Sequence, residues 1–169
     1  MKKITAIFML FFTAVSCQND VKQGTTTYYL IRHAEKQSGN DPILTEKGRE
    51  RSSFWAQYFK NKSLEAIYST DTKRTMATAK LTAKEFDLKI NTYDAAAMYD
   101  TDFKEKTTGK TVLIVGHSNT TPEFVNEIIA EKRYQHIDDN EFGTVFKVIL
   151  NENGNAKVEK ETINSWDMP

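Results

Sequence analysis

The chain has 169 residues, enough for one domain with a sizeable hydrophobic core. Its 23 basic and 23 acidic residues balance, which argues against a nucleic-acid-binding surface or an acidic tail. The single cysteine excludes an intramolecular disulfide, and no Cys/His cluster has the spacing of a zinc finger. Function must therefore lie in local groups of residues.

A positively charged start leads into a short apolar segment. Lys2 and Lys3 precede an almost unbroken apolar run over residues 4–15. A run of this length is too short to span a bilayer comfortably and is typical of a signal peptide. The sequence predicts a signal peptide over residues 1–16.

The only cysteine, Cys17, lies directly after this segment. Residues 14–17 resemble a bacterial lipobox, where the cysteine becomes lipid-modified and forms the new N-terminus, although Ala14 stands where leucine is usual. We expect a lipid anchor at Cys17, a polar tether over residues 17–26 and a location on the periplasmic or outer-membrane side of a bacterial cell envelope. The alternatives are simple secretion and a buried N-terminal helix with an inert cysteine.

Apolar runs and helical patterns alternate along the rest of the chain, which we expect to form one domain over residues 27–169. The first buried strand is predicted at residues 28–31, and Thr45 is expected to cap the helix that follows the loop at residues 36–43. Four aromatic residues share one face of that helix by their spacing and are expected to pack in the core: Phe54, Trp55, Tyr58 and Phe59.

The middle of the chain repeats this order. A short strand is predicted at residues 64–68, and Asp71 or Thr72 is expected to cap the next helix. The buried side of that helix is predicted to consist of Met76, Ala79, Leu81, Ala83 and Phe86. Residues 88–93 are expected to form an edge strand, and residues 94–110 a functional loop or a short helix over the site.

The last third of the chain begins with a continuous apolar run at residues 112–115, which suits a parallel strand buried on both faces. Pro122 falls in the first turn of the next helix, where its missing N–H costs nothing. Residues 144–150 and 156–163 flank a turn and predict a closing hairpin. Together these elements predict an α/β fold, a three-layer αβα sandwich with a mostly parallel central sheet.

Residues suited to phosphate follow three of the predicted strands. Arg32 and His33 follow the first strand, Arg74 lies just after the second, and His117 follows the strand at residues 112–115. The carboxyl ends of strands in an open α/β sheet meet at one edge, so these residues can converge on one pocket. A neutral imidazole is a good phosphoryl acceptor, and guanidinium groups match phosphate oxygens without losing their charge. The sequence therefore predicts a phosphoryl-transfer site.

Four ordered motifs in this part of the chain carry a resemblance to a known family. Residues 30–35, Leu-Ile-Arg-His-Ala-Glu, resemble the Arg-His-Gly/Ala-Glu signature of the histidine phosphatase superfamily, which includes the phosphoglycerate mutase-like enzymes. Residues 44–48 are similar to its Leu-Thr-x-x-Gly helix start, residues 68–79 to its Ser-x-x-x-Arg-x-x-x-Thr-Ala segment, and residues 115–119 to its second-histidine motif. The resemblance implies a phosphoglycerate mutase-like fold.

The predicted roles combine this resemblance with the chemistry of the residues. His33 is expected to be the nucleophile that forms a phosphohistidine, with Arg32, Arg74 and His117 binding the phosphoryl oxygens. The predicted substrate-binding residues are Glu35, Asn40, Ser118 and Asn119. Glu35 is expected to orient His33 or Arg32 rather than to act as an acid. The expected partner is a small phosphorylated substrate, with no cofactor and no metal.

The proton donor for the leaving group is the least defined residue. Family members that hydrolyse monoesters often take a Glu or Asp from the region before the second-histidine strand, so Asp100 is predicted, with Asp94 as the second choice. Gly39 stands where mutase-type members carry an Asn, and their long insertions are absent, which favours a phosphatase over a mutase. A weak acid would favour good leaving groups such as phosphohistidine or pyrophosphate.

Three other interpretations remain open from the sequence. A metal site of two histidines and Glu35 is conceivable, although the adjacent arginine opposes cation binding. The chain could bind phosphate on a catalytically dead scaffold, because a fold alone does not prove activity. It could also be a structural surface lipoprotein. The favoured interpretation is a metal-independent phosphoric monoester hydrolase that binds no nucleic acid and meets the membrane through its lipid anchor.

Overall fold

The structure, a computed structural model, describes residues 24–164. The predicted signal peptide, Cys17 and most of the tether lie outside these residues. Between residues 24 and 164, no helix has both the length and the apolar character needed to cross a membrane.

Strands and helices alternate along most of the described chain. The strands are β1 (Thr26–Arg32), β2 (Ala66–Ser69), β3 (Ile90–Thr92), β4 (Thr111–Gly116), β5 (Thr144–Leu150) and β6 (Ala156–Thr162). The helices are α1 (Glu46–Phe59), α2 (Lys73–Glu85), α3 (Thr101–Thr107) and α4 (Thr120–Ile128). Thr45 and Thr72 cap α1 and α2 with their side chains, as one would expect of threonines at these positions.

The strands form one sheet in the order β3-β2-β4-β1-β5-β6. The four strands β1, β2, β3 and β4 are parallel to one another, whereas β5 runs antiparallel to β1 and β6 antiparallel to β5. The predicted closing hairpin is therefore β5–β6, and the predicted edge strand is β3. The α/β architecture with a mostly parallel central sheet is confirmed.

Alternate residues of the central strands pack against two separate helical layers, one on each face of the sheet. One face of the sheet packs against α1 and α2 through Tyr29, Ile31, Trp55, Phe59 and Ala79. The opposite face packs against α3 and α4 through Tyr28, Leu30, Val112, Phe103 and Phe124. Because both faces of β1 and β4 are covered, these strands are rigid supports for the residues that follow them.

The prediction for the buried side of α2 is wrong in part. Leu81 is 41% exposed, and the buried residues of this helix are Thr75, Thr78, Ala79, Thr82 and Ala83. Small side chains allow α2 to approach α1, where Ser52 Oγ donates to the carbonyls of Ala77 at 3.1 Å and Thr78 at 3.0 Å. The hydroxyls of Thr75 and Thr78 also reach the site described below.

The segment at residues 94–110 contains a short packed helix. Asp100 caps α3 by accepting a hydrogen bond from the Phe103 N–H at 2.7 Å. Phe103 is buried, and its ring contacts Tyr68 and Phe124, with centroids 4.7 and 5.1 Å away. Of the two predicted alternatives, the helix is therefore the one that forms.

Candidate active site

The register of β1 and β4 brings the two predicted histidines to the same edge of the sheet. Arg32 pairs with Gly116 at the carboxyl ends of these parallel strands. The His33 N–H donates to the Gly116 carbonyl at 2.9 Å, so the backbone pairing continues up to the histidines. The imidazole rings of His33 and His117 lie 5.5 Å apart, centroid to centroid. The predicted convergence on the sheet edge is therefore observed.

The environment of His33 leaves one ring nitrogen free for chemistry. Its Nδ1 lies 2.8 Å from the carbonyl oxygen of Ala34, which can only accept a hydrogen bond. Nδ1 therefore carries the proton in the neutral ring, and Nε2 holds a lone pair. Burial lowers the pKa of His33 to about 3, with Arg32 and Arg74 acting in the same direction and the bond to Ala34 opposing them. The imidazole is thus neutral near pH 7, as a nucleophile must be.

A loop distant in sequence holds the guanidinium of Arg32. The NH1 group donates to the carbonyls of Asp138, Asp139 and Glu141 at 2.9, 3.0 and 2.9 Å. The Phe142 ring covers the guanidinium, with 4.1 Å from Cζ to the ring centroid. The Arg32 side chain is 4% exposed, and its Nε has no hydrogen-bond partner among the described residues. Arg32 is therefore a fixed, buried positive charge.

Arg74 follows the cap of α2 and faces two groups. Its NH1 lies 3.5 Å from Asp41 Oδ1, which also accepts a hydrogen bond from the Lys73 N–H at 3.0 Å. Its NH2 donates to His117 Nδ1 at 3.3 Å. Like Arg32, it has a buried Nε without a hydrogen-bond partner in the described part of the chain. Asp41 thus connects the loop after His33 to the start of α2.

His117 has partners at both ring nitrogens. Nδ1 contacts Arg74, and Nε2 lies 3.0 Å from Thr70 Oγ1. Its backbone N–H donates to Thr120 Oγ1 at 3.0 Å, which fixes the start of the turn into α4. Burial, together with the positive charges of Arg74 and Arg32, lowers the pKa of His117 to about 4. This ring is also neutral near pH 7.

These groups line an open cleft of about 590 Å³ at the edge of the sheet. Its lining combines cations, imidazoles and small polar groups, namely Arg32, His33, Lys36, Arg74, His117, Ser118, Asn119, Thr120, Asp139 and Phe142. Ser118 and Asn119, both predicted to bind substrate, are among them. Asn119 precedes α4, and its side chain makes no capping hydrogen bond, so the amide is available to a ligand.

The structure does not bring Asp100 or Asp94 to this cleft. Both line a different pocket, together with Tyr68 and Lys106. Asp100 caps α3, and Asp94 Oδ1 accepts from the Ala96 N–H at 2.8 Å. The predicted proton-donor role is therefore corrected, because both carboxylates serve local backbone structure outside the cleft.

Two of the predicted substrate-binding residues also lie outside the cleft lining. The carboxylate of Glu35 accepts from Arg51 Nε at 2.9 Å and Arg51 NH2 at 2.8 Å. Glu35 thus fixes the segment after His33 to α1 through a bidentate ion pair. Asn40 belongs to an exposed part of the loop, and its neighbour Asp41 makes the contact to Arg74 instead. Glu35 is therefore reassigned from substrate to the ion pair with Arg51, and the role of Asn40 in substrate binding stays a prediction.

Several site residues were absent from the sequence predictions. Thr78 Oγ1 accepts from the Ala34 N–H at 3.0 Å and donates to the Arg74 carbonyl at 2.8 Å, which joins the His33 and Arg74 segments. Lys36, Thr70, Asp139 and Phe142 were also missed. The motif spacing gave one signal for Thr78, because the predicted Thr-Ala pair places it one helical turn after Arg74.

A larger cavity of about 990 Å³ lies away from His33 and His117, between α4 and the loop after it. Its lining includes Glu123, Glu127, Glu131 and His136, and His136 Nε2 lies 2.9 Å from Glu123 Oε1. This acidic lining repels phosphate. The smaller cleft has the chemistry for an anion, so we place the functional site there rather than in the larger cavity.

Comparison with known families agrees with this geometry. Residues 28–97 match the family described as histidine phosphatase superfamily, branch 1. The resemblance to the histidine phosphatase superfamily that the sequence motifs carry is confirmed over these residues. The match includes the segment with Arg32 and His33 and the segment with Arg74. No curated protein matches the sequence as a relative.

Solved structures share the fold of this chain at low sequence identity. A phosphoserine phosphatase from Entamoeba histolytica, in complex with 3-phosphoglyceric acid, is 16% identical with a TM-score of 0.62, over 82% of this chain and 98% of that one. A protein provisionally named phosphohistidine phosphatase SixA, from Nakamurella multipartitia, is 17% identical with a TM-score of 0.62, over 84% and 98%. The mycobacterial glucosyl-3-phosphoglycerate phosphatase in complex with VO3 is 10% identical with a TM-score of 0.63, over 83% and 100%.

Proposed function

We propose that this protein is a phosphoric monoester hydrolase that acts through a phosphohistidine at His33 on a small phosphoester. The observation that carries the proposal is the free Nε2 of a neutral, buried imidazole between two guanidinium groups. Nε2 would attack phosphorus as the bond to the leaving oxygen breaks, and water would then hydrolyse the phosphohistidine. Arg32 and Arg74 would stabilise the charge on the equatorial oxygens.

The reaction as proposed needs no metal ion. The two arginines supply permanent positive charge at the place where a metal would otherwise neutralise phosphate. Residues 24–164 hold no group of three or more His, Cys, Asp or Glu side chains arranged to bind a metal ion. Turnover that persists in the presence of a strong chelator would support this part of the proposal, and loss of turnover that added metal restores would refute it.

The experiment that tests the nucleophile uses an aryl phosphate and a matched histidine control. His33→Ala is expected to abolish turnover and the acid-labile, base-stable phosphoenzyme seen after rapid quenching. His136→Ala removes an exposed histidine outside the cleft and should retain both. A wild-type protein that binds vanadate without turnover or phosphoenzyme would instead be a phosphate-binding module on a dead scaffold. A protein that neither hydrolyses a broad panel of phosphate esters nor binds vanadate would refute both the hydrolase and the phosphate-binding module.

A second candidate is hydrolysis of phosphohistidine or pyrophosphate. One observation favours it: Asp139 is the only carboxylate among the cleft-lining residues, and it is 90% exposed and 3.8 Å from Arg32 NH2. An exposed carboxylate of this kind is a weak proton donor. Alkoxide leaving groups need a proton donor, whereas good leaving groups depart without one. The likeness to the protein provisionally named as a phosphohistidine phosphatase is consistent with this candidate.

Relative rates on four substrates distinguish these two candidates. An alkyl phosphate, an aryl phosphate, a phosphoramidate and pyrophosphate should be compared under identical conditions. A phosphoramidate rate far above the alkyl phosphate rate supports the second candidate. Comparable alkyl and aryl phosphate rates support a general monoesterase with an effective proton donor.

We further propose that the mature protein is exported and anchored by lipid at Cys17. Support comes from Lys2, Lys3, the apolar run over residues 4–15 and the position of the sole cysteine. Each buried CH₂ of an acyl chain adds about 0.8 kcal/mol of membrane affinity. Fractionation should find wild type in the membrane and Cys17→Ala released from it. Wild type in the cytosol would refute export, and an equally membrane-bound variant would indicate an uncleaved anchor.

A further inference from the structure

The two partners of His117 reveal which of its nitrogens carries the proton. Arg74 NH2 lies 3.3 Å from Nδ1, and a guanidinium can only donate. Nδ1 must therefore accept and hold the lone pair. The proton of the neutral ring is then on Nε2, which donates to Thr70 Oγ1 at 3.0 Å.

A chain of buried threonines makes Thr70 an acceptor. The Thr70 hydroxyl donates to Thr75 Oγ1 at 3.1 Å, and so its oxygen lone pairs face His117. Thr75 Oγ1 in turn donates to the backbone carbonyl of Thr70 at 2.7 Å or of Thr72 at 3.1 Å. A carbonyl cannot donate, so with its own proton on either carbonyl Thr75 Oγ1 accepts from Thr70, and it can also accept from Thr72 Oγ1 at 2.8 Å, where either hydroxyl can be the donor. Thr70 is 5% exposed and Thr75 is fully buried, which shields the chain from competing water.

We propose that Thr70 is a positioning residue that fixes the Nε2–H tautomer of His117, so that Nδ1 enters the cleft as an acceptor and gains one proton when a phosphate dianion binds. The proton-uptake step rests on the proposed function, because it requires the cleft to bind phosphoryl groups. The tautomer does not, since it belongs to the unliganded protein.

The proton balance of this step is simple. In the free protein Nδ1 accepts from Arg74. When a dianion enters, a proton from solvent adds to Nδ1, and the new N–H donates to a phosphoryl oxygen. A monoanion would instead supply its own P–O–H proton to Nδ1, with none taken from solvent. In both cases the Nε2–H group keeps its hydrogen bond to Thr70 Oγ1, and the NH2 group of Arg74 turns from Nδ1 to the anion.

The charges around His117 explain why the step waits for the ligand. The groups that face it are Arg74 from α2 and Arg32 and His33 from the end of β1, while Asp139 lies 3.5 Å from the neighbouring Ser118 hydroxyl. The two arginines disfavour an imidazolium in the free protein. A bound dianion reverses the local charge, and a lone pair facing that dianion would be repulsive.

The tautomer can be measured directly in the unliganded protein. Long-range ¹H–¹⁵N correlation spectra distinguish Nδ1–H from Nε2–H, with His33→Ala and His136→Asn used for assignment. We expect Nε2–H for His117 in wild type and in Thr70→Ser, which keeps the hydroxyl. Thr70→Val should shift the population towards Nδ1–H, and so should Thr75→Val, which leaves Thr70 free to donate to Nε2. Nδ1–H in wild type, or no change in either valine variant, would overturn the proposal.

Proton uptake is measured by titrating inorganic phosphate into the protein by calorimetry at about pH 8, where phosphate is mainly the dianion. Repeating the titration in buffers of different ionisation enthalpy should give an uptake of about one proton per phosphate in wild type and Thr70→Ser. An enthalpy independent of the buffer would overturn the uptake. Absence of any phosphate binding would refute the proposed function and the uptake together, while the tautomer would still be decided by the spectra.

Discussion

The imidazoles of His33 and His117 lie 5.5 Å apart because each follows one member of a backbone register pair, Arg32 and Gly116. β1 and β4 are buried on both faces, so the distance between the two rings is set by the sheet rather than by a loop. The two groups proposed to act on one phosphoryl unit are thus held by the most rigid part of the fold.

Gly116 is the point where this arrangement is most sensitive. A Cβ at this position would lie 2.9 Å from the Tyr93 hydroxyl and 3.0 Å from both Thr120 Oγ1 and Thr121 Oγ1. Thr120 Oγ1 holds the His117 N–H, so displacement of Thr120 moves the ring. Gly116→Ala is expected to lower kcat/KM by about 10- to 100-fold and stability by about 1–3 kcal/mol.

The control for Gly116→Ala is Gly154→Ala in the turn between β5 and β6. Gly154 has φ of +77° and open space around it, so an added Cβ strains the backbone without touching the cleft. This variant should lose stability and keep its kcat/KM. Equal kinetic losses in the two variants would show that destabilisation, rather than the position of His117, explains the effect of Gly116→Ala.

The two buried imidazoles make folding stability depend on pH. The pKa of His33 is lowered to about 3 and that of His117 to about 4, whereas an unfolded chain has the ordinary value of 6.5. Below about pH 6.5 the unfolded state therefore binds more protons, and the free energy of unfolding falls by up to about 1.4 kcal/mol per pH unit for each histidine. Urea unfolding between about pH 7 and pH 4 measures this slope. In a His33→Asn variant the free energy of unfolding should depend less steeply on pH than in wild type. Identical slopes would contradict the lowered pKa of His33.

Glu35 and Arg51 form an ion pair whose loss affects stability more than substrate affinity. The two side chains are 12% and 4% exposed, so Glu35→Gln removes the buried counter-charge with which Arg51 forms its bidentate ion pair. We expect a loss of about 3 kcal/mol in the free energy of unfolding with little change in KM. Glu46→Gln, in the exposed pair with Arg49, should cost much less. A large rise in KM at unchanged stability would return Glu35 to the substrate-binding residues.

The parts of the site that depend on strand ends were predictable from the sequence. The apolar runs at residues 28–31 and 112–115 identify β1 and β4, and parallel strands must place the residues that follow them at one edge. Cleft residues at those ends, such as His33 and Ser118, followed from this rule alone. The threonine cap of α1 was predictable for a different reason, because local backbone chemistry determines which residue caps a helix.

Contacts made by loops were not predictable. The carbonyls that hold Arg32 come from residues more than 100 positions away, and Asp41 and Arg74 meet across a loop with no periodic pattern. Glu35 was assigned to substrate binding because it lies close to His33 in sequence. In the structure its side chain faces α1 rather than the cleft. The sequence did contain one signal for the ion pair of Glu35. Arg51 is four residues before Trp55 and so shares its buried face, and a buried charge requires a partner of opposite charge.

Asp100 is expected to affect the stability of α3 and not the chemistry. Its carboxylate caps the helix, so Asp100→Ala should lower the free energy of unfolding by about 1 kcal/mol. The ratio of alkyl to aryl phosphate rates should match that of wild type, because Asp100 does not line the cleft. A selective loss of the alkyl phosphate rate would restore Asp100 as the proton donor.

Asp139 places a negative charge in the cleft where the proposed anionic substrate would bind. Its Oδ1 lies 3.8 Å from Arg32 NH2 and 3.5 Å from Ser118 Oγ, so it competes with a phosphoryl group for both donors. Asp139→Asn keeps the backbone carbonyl that binds Arg32 and removes only the charge. We expect KM for aryl and alkyl phosphates to fall by up to about fivefold, the scale of one exposed ion pair, with kcat nearly unchanged. Steady-state kinetics at low and high salt tests the electrostatic origin, since salt should reduce the difference between variant and wild type. If instead kcat falls for the alkyl phosphate alone, Asp139 is the proton donor, and the preference for good leaving groups proposed for this cleft is wrong.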